Sequence, residues 1–159
     1  MRLWHIDLIK NGLLPKSQLI SQWRELNSIF KKQDKHILIN YIYDYNERYL
    51  GAYSLCVISE LLDRNINVNF DNYANYFASD MYPSCYVKED IFYQLETLTL
   101  YPENILKFNE HNDQYLLICF MNLYEKYIRG QKDFTKECFD KLYDFVNTKF
   151  DLKSLGIEK

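Results

Sequence analysis

Two groups in the first part of the chain could together carry imine chemistry on a sugar aldehyde: the α-amino group of Met1 and the carboxylate of Glu25. An α-amino group has an ordinary pKa of about 7.7–8.0, two to three units below lysine, so roughly a tenth of it is an uncharged nucleophile at neutral pH with no base to activate it. Trimming of an initiator methionine requires a small second residue, and Arg2 is large, so the expected nucleophile is the retained Met1 amine. Glu25 has Ser21, Gln22, Ser28 and Ile29 at its helical i±4 and i±3 positions, so no lysine or arginine of its own helix face explains it as an ion pair. Arg24 lies about a quarter turn away, where it would suit a phosphate beside a working carboxylate. The plainer alternative stays open for both: an ordinary chain end, and an Arg-Glu pair on a solvated helix face.

Several elements must position these groups. Pro15 suits a helix start, and Leu19, Trp23, Leu26 and Phe30 recur at helical spacing as one apolar stripe, with Glu25 off it beside Gln18, Ser21 and Gln22. Residues 3–13 read as an arm that ends in a turn at Asn11-Gly12, docked by Trp4 and His5; His5 fits either a hydrogen-bonded packing role or a substrate-facing one. Residues 31–36 form a charged connection, and the β-branched and aromatic run 37–43 fits a strand or a buried helical turn. Residues 46–64 predict the central core helix, closed by Asn65 and Asn67, with Gly51, Ala52 and Ser54 allowing close packing. Short helices are expected within 69–82, ended by Pro83, and within 87–101. Asn112 and Asp113 offer a cap for a mostly buried helix over 114–128, beside which His111 reads as a capping, loop or catalytic residue. Gly130 closes that helix, and Asp133 opens an amphipathic one through Phe150.

Taken together, the opening Met1-Arg2-Leu3-Trp4-His5, the helix ending Gln22-Trp23-Arg24-Glu25-Leu26, His36 followed by an aromatic Tyr-Asp segment, and Glu60-Leu61-Leu62-Asp63-Arg64-Asn65 resemble the phage pyrimidine-dimer DNA glycosylase family. Glu110-His111-Asn112-Asp113-Gln114-Tyr115-Leu116 is similar to a motif of its cellular branch. The resemblance is spread over residues 1–67. It implies an all-α fold, a single compact helical domain over 1–159 with the N-terminal arm inserted among the helices, and no cofactor. It also implies a glycosylase and abasic-site lyase acting on damaged double-stranded DNA through an N-terminal-amine imine. Met1 stands at the family's nucleophile and Glu25 at its essential carboxylate, while Arg2 and Arg24 match arginines that hold DNA near the lesion; His5, Gln18 and His36 fall on the same DNA-facing side. Gln18 replaces a histidine of the phage enzyme and Ser28 an arginine, and residues 150–159 lack its aromatic, basic tail.

Composition bounds the rest. A chain of 159 residues suits one domain and a monomer. The net charge of −3 runs against a nucleic-acid binder, but the first 35 residues carry seven lysines and arginines against Asp7, Glu25 and Asp34, a local basic face. Cys56, Cys85, Cys119 and Cys138 have no paired spacing and read as reduced thiols of a cytoplasmic protein. Three histidines without a cluster predict no metal, and with no 18-residue apolar run there is no membrane span. Four glycines exclude a phosphate-binding loop. The fifteen tyrosines read as core rather than as base-stacking platforms. The rival function is a non-catalytic helical binding module that keeps the fold.

Overall fold

The computed structural model describes residues 2–77 and 106–159. Its elements are α1 (Ile6–Lys10), α2 (Lys16–Lys32), a 3-10 turn (Asn40–Asp44), α3 (Glu47–Asp63), α4 (Asp71–Phe77), α5 (Asp113–Ile128) and α6 (Lys136–Asn147), with no strand among the described residues. The all-α expectation holds. Met1, Pro83, Cys85 and the helix expected within 87–101 lie outside the described residues.

Helix α3 is central because its apolar residues go nearly all the way round: Leu50, Tyr53, Leu55, Cys56, Val57, Ile58 and Leu61 are all buried. It packs against α1 and α2, while α2 also packs on α4, and α5 on α6. Burying each leucine or isoleucine of this kind stabilises by about 1.5–3 kcal/mol. At Gly51 a methyl group would meet the Phe77 ring of α4 at 3.6 Å, an ordinary contact, so the packing there does not depend on glycine. The helix starts at the Asn46 cap, whose side chain accepts from Arg48 N–H at 3.0 Å, and it stops where Asn65 takes a left-handed φ of 55°.

The stripe of α2 is turned slightly from expectation: Leu19, Gln22, Leu26, Ile29 and Phe30 are buried and Trp23 is only half-buried. Its first turn follows Pro15, which has no side-chain oxygen to cap it. Asp133 supplies one instead, accepting from Ser17 N–H at 2.6 Å and from Ser17 Oγ at 3.1 Å, a carboxylate at the positive end of the helix. Asp133 therefore does not open α6; Thr135 caps that helix by accepting from Cys138 N–H at 3.3 Å.

The other differences are local. The arm is not wholly extended: α1 occupies Ile6–Lys10, and the expected turn follows it with Gly12 at a left-handed φ of 65°. The run 37–43 becomes a turn and the 3-10 element, with Ile39 and Ile42 inside. Asn112 caps α5 as expected, accepting from Tyr115 N–H at 3.1 Å. That helix is less buried than its apolar content suggests, for Ile118 and Met121 face solvent.

Candidate active site

Residues 2–5 run through the interior as single extended chain, so their backbone groups have no helix or sheet to bond them, and side chains from distant elements do it instead. Glu25 Oε2 accepts from Arg2 N–H at 3.1 Å, and Gln22 Oε1 accepts from Trp4 N–H at 2.8 Å. Tyr115 donates to the Leu3 carbonyl at 2.5 Å and Tyr53 to the Trp4 carbonyl at 2.8 Å, with Gln22 Oε1 a further acceptor for Tyr53 at 3.0 Å. Burial raises the pKa of both tyrosines, which keeps them as donors. Leu3 and Trp4 are buried, so each missing partner would strand a polar group away from water, at about 1–3 kcal/mol.

His5 and His111 hold the arm's inner end. Ile6 N–H donates to His111 Nδ1 at 3.1 Å, so the His111 proton is on Nε2, which donates to the Tyr41 hydroxyl at 3.0 Å. Asp7 N–H likewise donates to His5 Nδ1 at 3.2 Å, leaving Nε2–H for the His111 carbonyl at 2.9 Å. The rings stack with centroids 5.4 Å apart. Burial, the positive-charge repulsion of His5 and that of Lys107 lower the His111 pKa to about 3. The His5 pKa is lowered as well, by burial first, with Asp7 opposing. Both are neutral packing residues, His5 in the arm and His111 against it.

Beside the arm lies a pocket of about 260 Å³. The arm gives it Arg2 and Trp4, α2 gives Gln18, Ser21 and Glu25, the turn before the 3-10 element gives Leu38, and α5 gives Asn122 and Lys126. A wider hollow of about 500 Å³ at residues 67–71 gathers none of the sequence-predicted residues. The smaller pocket joins a carboxylate, a guanidinium and an ammonium, groups that can hold phosphate and move protons. The Arg2 guanidinium reaches inward, where its charge partly offsets the upward effect of burial on the Cys119 and Tyr115 pKa values.

Of the residues singled out from the sequence, Arg2, Gln18 and Glu25 meet in this pocket, with Gln18 Nε2 also donating to Gln131 Oε1 at 3.0 Å. Arg24 is exposed on α2 outside the pocket wall. His36 is exposed on the turn that contributes Leu38, and its Nδ1 accepts from Leu38 N–H at 3.3 Å. His5 lies inside rather than on the pocket wall. Met1 lies outside the described residues. Sequence reasoning missed Gln22, Tyr53, Tyr115, Asn122 and Lys126. A signal existed for Tyr53, since a tyrosine on the buried face of a core helix needs a partner for its polar end.

No curated protein and no solved structure matches the chain. A family model described as pyrimidine dimer DNA glycosylase matches residues 1–73. That segment supplies the arm, α2 and Leu38, while Asn122 and Lys126 come from outside it. Residues 1–73, which carry Glu25 and the arm it holds, are thus similar to the pyrimidine dimer DNA glycosylases, a family of DNA repair enzymes.

Proposed function

We propose that the protein is a DNA glycosylase and abasic-site lyase that acts on pyrimidine-dimer-like damage in double-stranded DNA, with the Met1 α-amine as nucleophile and Glu25 as the acid–base group. One observation carries this reading: Arg2 N–H donates to Glu25 Oε2 at 3.1 Å. The Met1 nitrogen is three covalent bonds from Arg2 N, so it can be no further than about 4 Å from it. An amine tethered so closely to a carboxylate at a pocket is the pairing that imine chemistry needs.

The uncharged amine attacks C1′ of the damaged nucleotide, and the base leaves with the electrons of the glycosidic bond and takes a proton. Opening of the sugar at O4′ leaves a protonated imine between the Met1 nitrogen and C1′. Removal of a C2′ proton then sends its electron pair into a C2′–C3′ double bond, and the 3′ phosphate leaves with the C3′–O pair. Water hydrolyses the imine and restores the amine. Glu25 stabilises the positive charge at the sugar and carries the protons. Lys126 holds a flanking phosphate from the pocket wall and Arg24 one from the exposed face of α2, while Arg2 lines the pocket from the arm. Every group invoked belongs to the chain, so the reaction calls for no cofactor.

The test is reductive trapping. Duplex DNA with an abasic site, incubated with the protein and cyanoborohydride, should give a covalent adduct whose proteolysis puts the sugar on the Met1 peptide. An adduct found on an internal lysine alone refutes the nucleophile. The net charge of −3 favours a second reading, a non-catalytic helical module, for which no adduct forms at all.

A further inference from the structure

We propose that Ile37 is a wedge that enters the base stack of duplex DNA next to the nucleotide in the pocket, with Leu38 as its shoulder. The inference rests on the DNA-repair reading above and adds to it the means of opening the duplex. Ile37 is 86% exposed and Leu38 46%, two consecutive large aliphatic side chains that the fold leaves largely open to solvent. The turn that presents them is held tightly: Ile39 and Asn40 N–H donate to the His36 carbonyl at 2.8 and 2.9 Å, and Leu38 N–H to His36 Nδ1. Ile39, 0% exposed, anchors it from beneath. The tip is therefore pre-organised, and ordering it on contact costs little.

Its place and its flanks select the partner. Leu38 belongs to the wall of the pocket that holds Glu25 and Arg2, so whatever Ile37 enters lies at the mouth of the site. Lys31, Lys32, Lys35 and His36 are exposed on the approach to the turn, and a basic surround suits phosphates rather than an apolar protein face. A nucleotide inside a duplex cannot reach a pocket until the stack opens, which costs a few kcal/mol per step, and an inserted aliphatic side chain fills the gap.

Two probes test this with Ile37→Ala, and with Ile37→Met as the variant that stays apolar. The first is a duplex carrying a tetrahydrofuran abasic analogue beside 2-aminopurine, which reads unstacking by fluorescence and involves no imine. The second is cyanoborohydride trapping on natural abasic sites in duplex and in single-stranded DNA. The wild-type protein and Ile37→Met should brighten 2-aminopurine and Ile37→Ala should not; the duplex-to-single-strand ratio of trapping rates should fall about tenfold in Ile37→Ala. Ile37→Ala matching the wild type in both readouts overturns the wedge and leaves the imine reading standing. A wild type that brightens the probe through Ile37 yet never forms an adduct overturns the imine reading and leaves the wedge. A wild type that does neither overturns both.

Discussion

The neutral histidine pair makes the arm sensitive to acid, and His111→Asn isolates the effect. In the folded protein His111 has its pKa lowered to about 3 from an ordinary 6.5, first by burial. Between those values the unfolded chain binds a proton that the folded chain does not, so this contribution to stability is whole above about pH 6.5 and is lost as the pH falls. The geometry agrees, because a proton on Nδ1 would face the Ile6 N–H that now donates to it. At about 1.36 kcal/mol per pH unit, lowering the pH from 7.5 to 5.0 should remove about 2 kcal/mol through His111. The lowered His5 pKa acts in the same direction. With a urea slope of about 2 kcal/mol per molar, the unfolding midpoint drops by about 1 M. An asparagine oxygen can still accept from Ile6 N–H and does not titrate, so His111→Asn should lose about 2 kcal/mol less than the wild type over the same interval. The assay is urea unfolding followed by circular dichroism at both pH values for both proteins. Equal losses in the two would refute the reasoning, whatever their absolute stabilities, because the difference between pH values cancels any packing cost of the substitution.

Three further outcomes follow from the site. Glu25→Gln keeps an acceptor for Arg2 N–H and removes the charge, so abasic-site DNA should still bind while strand cleavage slows at least ~100-fold; cleavage at the wild-type rate would dismiss Glu25 as the acid–base group. Acetylating the terminus, or leaving an uncleaved tag on it, should abolish trapping with no change in melting temperature, since the helical core is untouched; adduct formation by a fully blocked protein would sink the mechanism. Lys126→Met should leave the adduct on the Met1 peptide and flatten the salt dependence of binding by about one phosphate's worth, whereas loss of the adduct would make the pocket lysine the nucleophile.

Local chemistry was legible and long-range bonding was not. The stripe of α2, the core helix α3, the Asn112 cap and the stops at Asn65 and Gly130 follow from periodicity and left-handed turn residues, and the structure has them. Gln22 was read as a neighbour of Glu25 on the polar face, yet it is fully buried, because Trp4 N–H needs an acceptor 18 positions away and no sequence period announces that need. The same holds for Tyr115 and the Leu3 carbonyl, 112 positions apart. Asp133 misled for a related reason, since it resembles a local helix start and serves instead the first turn of α2. Two of the pocket's three charged residues, Arg2 and Glu25, were visible early. Lys126 was not, since a lysine late in an amphipathic helix looks like any solvated one until α5 is laid beside the arm.

Part of what holds the arm is made long after the arm itself. His5 binds a residue made 106 positions later, which at cellular rates of synthesis means a wait on the order of 5–20 s. Until α5 has been made, the Leu3 carbonyl has no Tyr115 and Ile6 N–H no His111, so residues 2–5 have only the bonds from Gln22, Glu25 and Tyr53 to hold them. A nascent or prematurely terminated chain would therefore have Glu25 in its helix and an arm held from one side only. The proposed imine chemistry therefore waits for α5, because the inner end of the arm that would carry its nucleophile is fixed only once His111 and Tyr115 have been made.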